Sequence, residues 1–207
     1  MSTEIFTDFI TAEDAATICE LLEPHLADTP RDGIQAALGW GIPSEAARVA
    51  LDDKVRYDNP EETITTAFKK VLEKTGDHFG VEDDKVCIVN AFYYNMTQGA
   101  RQQMHCDTCE LDGSPLDDKE SVEDEPNIWS AILYLNNSGE DYEGGEIWFP
   151  KQDIVHAPKV GEFVLFKADV DHPHEVKTVL SGDRKCLVFF MGYYSKALED
   201  SRTFSDR

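Results

Sequence analysis

Val86-Cys87-Ile88-Val89-Asn90-Ala91-Phe92-Tyr93 is the stretch at which this chain changes character. β-Branched and aromatic residues dominate it, as in a strand. Downstream, Ile128–Leu135, Glu146–Phe149, Glu162–Phe166, Val176–Leu180 and Cys186–Tyr194 read the same way. Glycines and Asn/Asp clusters separate these runs, as at Asn136-Asn137-Ser138-Gly139 and Gly144-Gly145. Upstream, the chain reads helical. Thr11-Ala12-Glu13-Asp14 resembles a capping box, and Ile18, Leu21, Leu22 and Leu26 supply an apolar stripe up to the region of Pro24. Asn59-Pro60-Glu61-Glu62 opens a second helix, whose Ile64, Ala67, Phe68, Val71 and Leu72 face one way until Gly76. A shorter helix is expected over 44–51. Helices followed by many short strands predict an α+β chain, mainly β: an antiparallel sandwich or barrel with helices packed outside. There is no internal repeat and no linker. The expectation is one domain over 1–207, with helical support over 1–84 and a β core over 85–195.

Composition narrows the function. The chain has 207 residues, 41% of them hydrophobic, enough for a real core despite the charge. Asp and Glu number 41 against 19 Lys and Arg, a formal charge of −22. Such a surface repels phosphate backbones, which argues against nucleic acid as a direct partner. It suits a cationic peptide or protein, and it also serves simply to keep the chain in solution. Five cysteines, an odd count in a chain too large to need staples, point to a reducing compartment. Cys106-Asp107-Thr108-Cys109 has no second pair at zinc-ribbon spacing. No apolar run approaches membrane length, and MSTEIFTDF has neither a basic region nor a signal core, so a cytoplasmic protein is expected. The acidic stretch Asp112–Glu125 cannot be buried cheaply and reads as a solvated loop, a candidate flap.

The chemistry-bearing residues lie around that loop. His105 and Asp107, in Met104-His105-Cys106-Asp107, form a His-x-Asp pair, and one more histidine far downstream completes two imidazoles and a carboxylate. That set can occupy one face of an octahedral iron(II), leaving the opposite face for substrates and dioxygen. On one strand, period two would aim His105 and Asp107 the same way. His172 and His174 compete for the third position. His174 is preferred because Glu175-Val176 leads on into a strand and Arg184 follows, a cation able to hold the far carboxylate of an organic acid on the same metal. His25, His78 and His156 have no partner at metal-ligand spacing.

These residues sit in wider runs that resemble the 2-oxoglutarate- and iron(II)-dependent dioxygenases of the prolyl hydroxylase branch. The nearest likeness is to the catalytic domains of leprecan-type prolyl 3-hydroxylases and of prolyl 4-hydroxylases. The matching runs are His105-Cys-Asp-Thr-Cys-Glu-Leu111, Trp129-Ser-Ala-Ile-Leu-Tyr-Leu-Asn136, Tyr142-Glu-Gly-Gly-Glu-Ile-Trp-Phe149 and His172-Pro-His-Glu-Val-Lys-Thr-Val-Leu-Ser-Gly-Asp-Arg184. They cover 104–194; the first 80 or so residues match nothing beyond helical support.

The resemblance implies a double-stranded β-helix, or jelly roll. It implies Fe(II) on His105, Asp107 and His174, and 2-oxoglutarate chelating that iron with its distal carboxylate on Arg184. It implies supporting roles for Tyr134 and Tyr94 at the cosubstrate, dioxygen as the oxidant, and ascorbate as an accessory reductant. The reaction would hydroxylate proline in a protein or peptide, basic and proline-containing, with release of succinate and carbon dioxide. A hydroxylase of free amino acids or small molecules is the alternative, and a non-catalytic metal-binding module a more distant one. Trp148 and Phe190 are aromatic candidates for the substrate side, with core packing as their other role.

Overall fold

The computed structural model describes residues 3–26, 34–37, 61–82, 85–116 and 128–193. The helix expected over 44–51, the Asn59-Pro60 cap, Tyr194 and the acidic loop beyond Leu116 lie outside these residues.

Two helices precede most of the strands. α1, Ala12–Leu22, opens on the expected capping box: the Thr11 hydroxyl accepts from the Asp14 N–H at 3.0 Å, and Asp14 reaches back to the Thr11 N–H at 3.2 Å. It ends at Leu22, and Pro24 falls inside a 3₁₀ turn, Glu23–His25. α2, Glu61–Phe79, buries Ile64, Ala67, Phe68, Val71 and Leu72 as the periodicity predicts. It runs through Gly76, however, and stops only at Gly80, whose φ of 69° is the left-handed conformation that closes a helix.

The strands are β1 (Glu4–Phe6), β2 (Ile34–Ala37), β3 (Val86–Met96), β4 (Gln102–His105), β5 (Trp129–Tyr134), β6 (Tyr142–Gly144), β7 (Ile147–Phe149), β8 (Ile154–His156), β9 (Phe163–Lys167), β10 (His174–Val176), β11 (Val179–Gly182) and β12 (Arg184–Tyr193). A six-stranded sheet runs β1-β9-β5-β12-β3-β2, a four-stranded sheet β4-β10-β7-β8, and β11 pairs with β6. All these pairings are antiparallel. This is the expected jelly-roll arrangement, with two corrections. The first third is not only helical, because β1 and β2 form the two edges of the large sheet. The single strand expected over 176–180 is two strands: β10 joins the small sheet, and the chain then turns at Lys177-Thr178 so that β11 joins β6.

Alternation along the large sheet separates two cores. On its outer face Trp129, Ala131, Leu133, Phe163, Leu165, Leu187 and Phe189 pack against the helices. Phe68 of α2 meets Phe189 edge-on, centroids 5.0 Å apart. On the inner face Ile132, Tyr134, Val164, Phe166 and Cys186 meet Ile147 and Phe149 of the small sheet. The site is built at the edge of this inner core. Among the described residues no helix is long and apolar enough to cross a membrane.

Candidate metal and cosubstrate site

β4 and β10 are neighbours, and their register sets His105 opposite His174. β4 stops at His105; Asp107 lies in the bend that follows, so the two do not share a strand as expected. The bend itself brings the carboxylate round. Asp107 Oδ1 is 3.3 Å from His105 Nε2 and 3.8 Å from His174 Nε2. One donor atom from each of the three residues lies within 4.8 Å of the others. The side chains of Asp107 and His174 are buried while that of His105 is partly exposed, so the cluster opens to one side. Thr108 donates to the Ala168 carbonyl, tying the bend to the turn before β10.

The imidazoles are oriented by the backbone. His105 Nδ1 is 2.8 Å from the Gln103 carbonyl, and His174 Nδ1 is 3.1 Å from the His172 carbonyl. A carbonyl oxygen only accepts, so each Nδ1 carries a proton; when the rings are neutral each Nε2 presents a lone pair to Asp107, and when His105 is charged its Nε2–H donates there. With both rings neutral, two lone pairs and a carboxylate face one another, an arrangement that a cation or added protons must relieve. Burial works to raise the Asp107 carboxyl, but the His105 hydrogen bond and the neighbouring imidazoles hold it below the usual carboxylate range. Burial works to lower His105, yet the hydrogen bond and charge of Asp107 leave it raised. His174, wedged between Phe149 and Phe166 at 5.3 and 4.8 Å, is lowered chiefly by burial. Two nitrogens and one oxygen, both rings fixed through Nδ1, fit a divalent first-row metal such as iron(II).

Arg184, the first residue of β12, is 1% exposed. Its Nε donates to the Gly145 carbonyl at 3.0 Å and its Nη2 to the Tyr134 hydroxyl at 3.4 Å. Among the described residues Nη1 meets only sulfur, Met96 Sδ and Cys186 Sγ, both at 3.3 Å. Among the described residues no carboxylate pairs with this buried cation. Such a charge is costly without an anion, and a ligand carboxylate fits the gap. Tyr134 and Tyr94 flank Cys186 in one row across β5, β12 and β3. Tyr134 is fully buried, with the guanidinium 5.1 Å from its ring centre. Tyr94 stacks on Phe92, and burial, with Cys186 and Asp107 nearby, pushes its phenol up to about 12.

Other expectations fare differently. His172 is buried but directed at Asp169, its Nδ1 2.6 Å from Oδ1, and stays out of the cluster. His156 pairs with Glu162 at 2.8 Å. Trp148 is not on the substrate side: it lies on the outer face of β7, between the buried Ile147 and Phe149, with Lys177 Nζ 4.1 Å above its ring. Phe190 does lie on the inner face, level with Ser130 and edge-on to Phe92. The sequence reading overlooked Tyr142, which the structure buries beside Arg184; its place three residues before Gly145 was a visible signal, but its facing was not.

Comparison with known proteins agrees with this geometry. Residues 91–192 match the family model described as the 2OG-Fe(II) oxygenase superfamily. A segment of 96 residues is 30% identical to human prolyl 3-hydroxylase 3, spanning 42% of this chain and 12% of that protein. The fold is similar to the viral collagen prolyl hydroxylase of Paramecium Bursaria Chlorella virus-1, solved with 2OG: TM-score 0.63, 16% identity, covering 94% of this chain and 97% of that one. It is also similar to a Pseudomonas putida prolyl-4-hydroxylase: TM-score 0.59, 18% identity, 93% of each chain. With a matching family model, a matching jelly roll and a donor set suited to its metal, residues 91–192 are those of a 2OG-Fe(II) oxygenase, an enzyme that uses iron(II) and 2-oxoglutarate.

Proposed function

We propose that this enzyme hydroxylates prolyl residues in a protein or peptide, consuming 2-oxoglutarate and dioxygen and releasing succinate and carbon dioxide. The observation that carries the reaction class is the His105–Asp107–His174 cluster on the same inner face as a buried Arg184 that has no protein carboxylate partner among the described residues. Prolyl specificity is supported by the likeness to prolyl hydroxylases and by the acidic charge of −22, which suits a basic partner.

In this reading His105 Nε2, His174 Nε2 and Asp107 hold the metal. Iron(II) with 2-oxoglutarate, held there, would supply the activation of dioxygen that the hydroxylation needs. The protein residues do the positioning. Arg184 and Tyr134 anchor the distal carboxylate of the cosubstrate, which fixes its 2-oxo acid end toward the metal. The carbonyls of Gln103 and His172 keep the two rings from turning. Phe149 and Phe166 keep water from the His174 side. Tyr94 and Phe92 form an aromatic wall beside Asp107, suited to the face of a proline ring.

The test is succinate release from the protein supplied with iron(II), 2-oxoglutarate and ascorbate, scanned across proline-containing peptides with mass spectrometry of the products. Hydroxyproline formed only when 2-oxoglutarate and iron are both present is the expected result. Turnover of free amino acids with no peptide hydroxylated would overturn prolyl specificity while keeping the reaction class. Absence of 2-oxoglutarate decarboxylation with any substrate would overturn both.

A further inference from the structure

Arg184 has a second phenol beside it. Tyr142, the first residue of β6, is 2% exposed, and its hydroxyl makes no hydrogen bond among the described residues. Ser138 lies close by, yet Tyr142 forms no hydrogen bond with it. Gly145 shows where Tyr142 and Arg184 meet. A Cβ at Gly145 would come within 2.9 Å of Arg184 Cδ and 3.2 Å of Tyr142 Cε2, so both side chains border the notch this glycine leaves. Gly145 holds φ at 67°, a conformation that also favours glycine there. The charge of Arg184 acts on the Tyr142 phenol as it does on that of Tyr134.

Three unmet demands therefore converge at one end of the inner core. The guanidinium has no carboxylate partner among the described residues, its Nη1 is spent on two sulfurs that accept weakly, and the Tyr142 O–H has no acceptor. A buried donor left without an acceptor loses its hydration with no return. A single carboxylate, with four lone-pair directions, meets all three.

We infer that Tyr142 is a cosubstrate-binding residue, its hydroxyl donating to the distal carboxylate of 2-oxoglutarate held by Arg184. The inference rests on the oxygenase reading above. It gives the pocket two phenols: Tyr134, which already accepts from Arg184 Nη2, and Tyr142, whose hydroxyl has no hydrogen-bond partner among the described residues. It also makes Tyr142 a determinant of selectivity for a dicarboxylic 2-oxo acid over a monocarboxylic one.

The test uses Tyr142→Phe in the full chain loaded with Mn(II), which binds as a redox-quiet stand-in for iron(II), and titrates 2-oxoglutarate calorimetrically. Loss of one hydrogen bond to a charged group predicts about tenfold weaker binding of 2-oxoglutarate. Affinity for 2-oxopentanoate, which has the same chain length but no distal carboxylate, should be the same in both proteins. The melting temperature without ligand should be unchanged or raised, because the substitution removes an unsatisfied hydroxyl, whereas a merely structural role would lower it. Unchanged 2-oxoglutarate affinity, an equal loss for both 2-oxo acids, or a destabilised ligand-free protein would each overturn the inference. If the wild-type protein with Mn(II) binds no 2-oxoglutarate at all, the oxygenase reading falls and takes this inference with it.

Discussion

Arg184 shows how far a single residue can be read. The distance in sequence from His174 suggested a cation for an organic acid, and that was legible because a guanidinium has few other reasons to sit in an apolar strand. Its surroundings were not legible: Gly145, Met96 and Tyr134 come from three separate elements. Replacing Arg184 by Gln should weaken 2-oxoglutarate binding by about 100-fold or more, since a charge-assisted anchor is lost. The same protein without ligand should melt no lower than wild type, because an uncompensated buried charge has gone; calorimetry and thermal melts check the two halves. Asp107 is the opposite case. Its identity as a donor was legible, but not its means of pointing, since the sequence suggests a strand where the chain makes a bend. Asp107→Asn should abolish the rise in melting temperature on adding Mn(II), because a neutral amide replaces the only anionic donor of the cluster.

Elements hold the site in place from behind. The capping box of α1 and the apolar stripe of α2 were readable because caps and helical periodicity are local, and both proved correct. The run 176–180 was misread because hydrophobicity alone does not say which sheet a strand joins. Two buried valines, Val176 and Val179, belong to different sheets, and the turn between them is held by Lys177 N–H to Glu146 O at 2.9 Å and Gly145 N–H to Thr178 O at 3.2 Å. Thr11→Ala should cost about 1 kcal/mol in denaturant unfolding, the usual worth of an N-cap. Phe68→Ala should cost about 3–5 kcal/mol, because it empties the α2 contact with Phe189. Neither side chain touches the cluster, so 2-oxoglutarate affinity of the folded fraction should be unchanged in both.

On the scale of the whole molecule, metal, proton and fold are linked. Metal binding requires His105 and His174 neutral. His105, raised above the ordinary imidazole value, contributes stability to the metal-free protein that is present below that value and lost as pH rises through its folded pKa. His174 is lowered and Asp107 is lowered, so their contributions are present at higher pH and lost as pH falls through their folded values. Added Mn(II) must displace the His105 proton, so its stabilising shift in melting temperature should be small near about pH 5 and grow to a plateau by about pH 8. A shift independent of pH would count against these imidazoles as metal ligands. The sequence by itself determined the reaction-bearing residue types, the change from helix to strand near Lys85, and the cap of α1, because each rests on side-chain chemistry or short-range periodicity. Only the tertiary structure decided that the run 176–180 divides between two sheets, that Trp148 faces outward, and that Tyr142 faces Arg184. Those outcomes depend on strand register and on which sheet receives each strand, and both are set by packing between segments far apart in the chain.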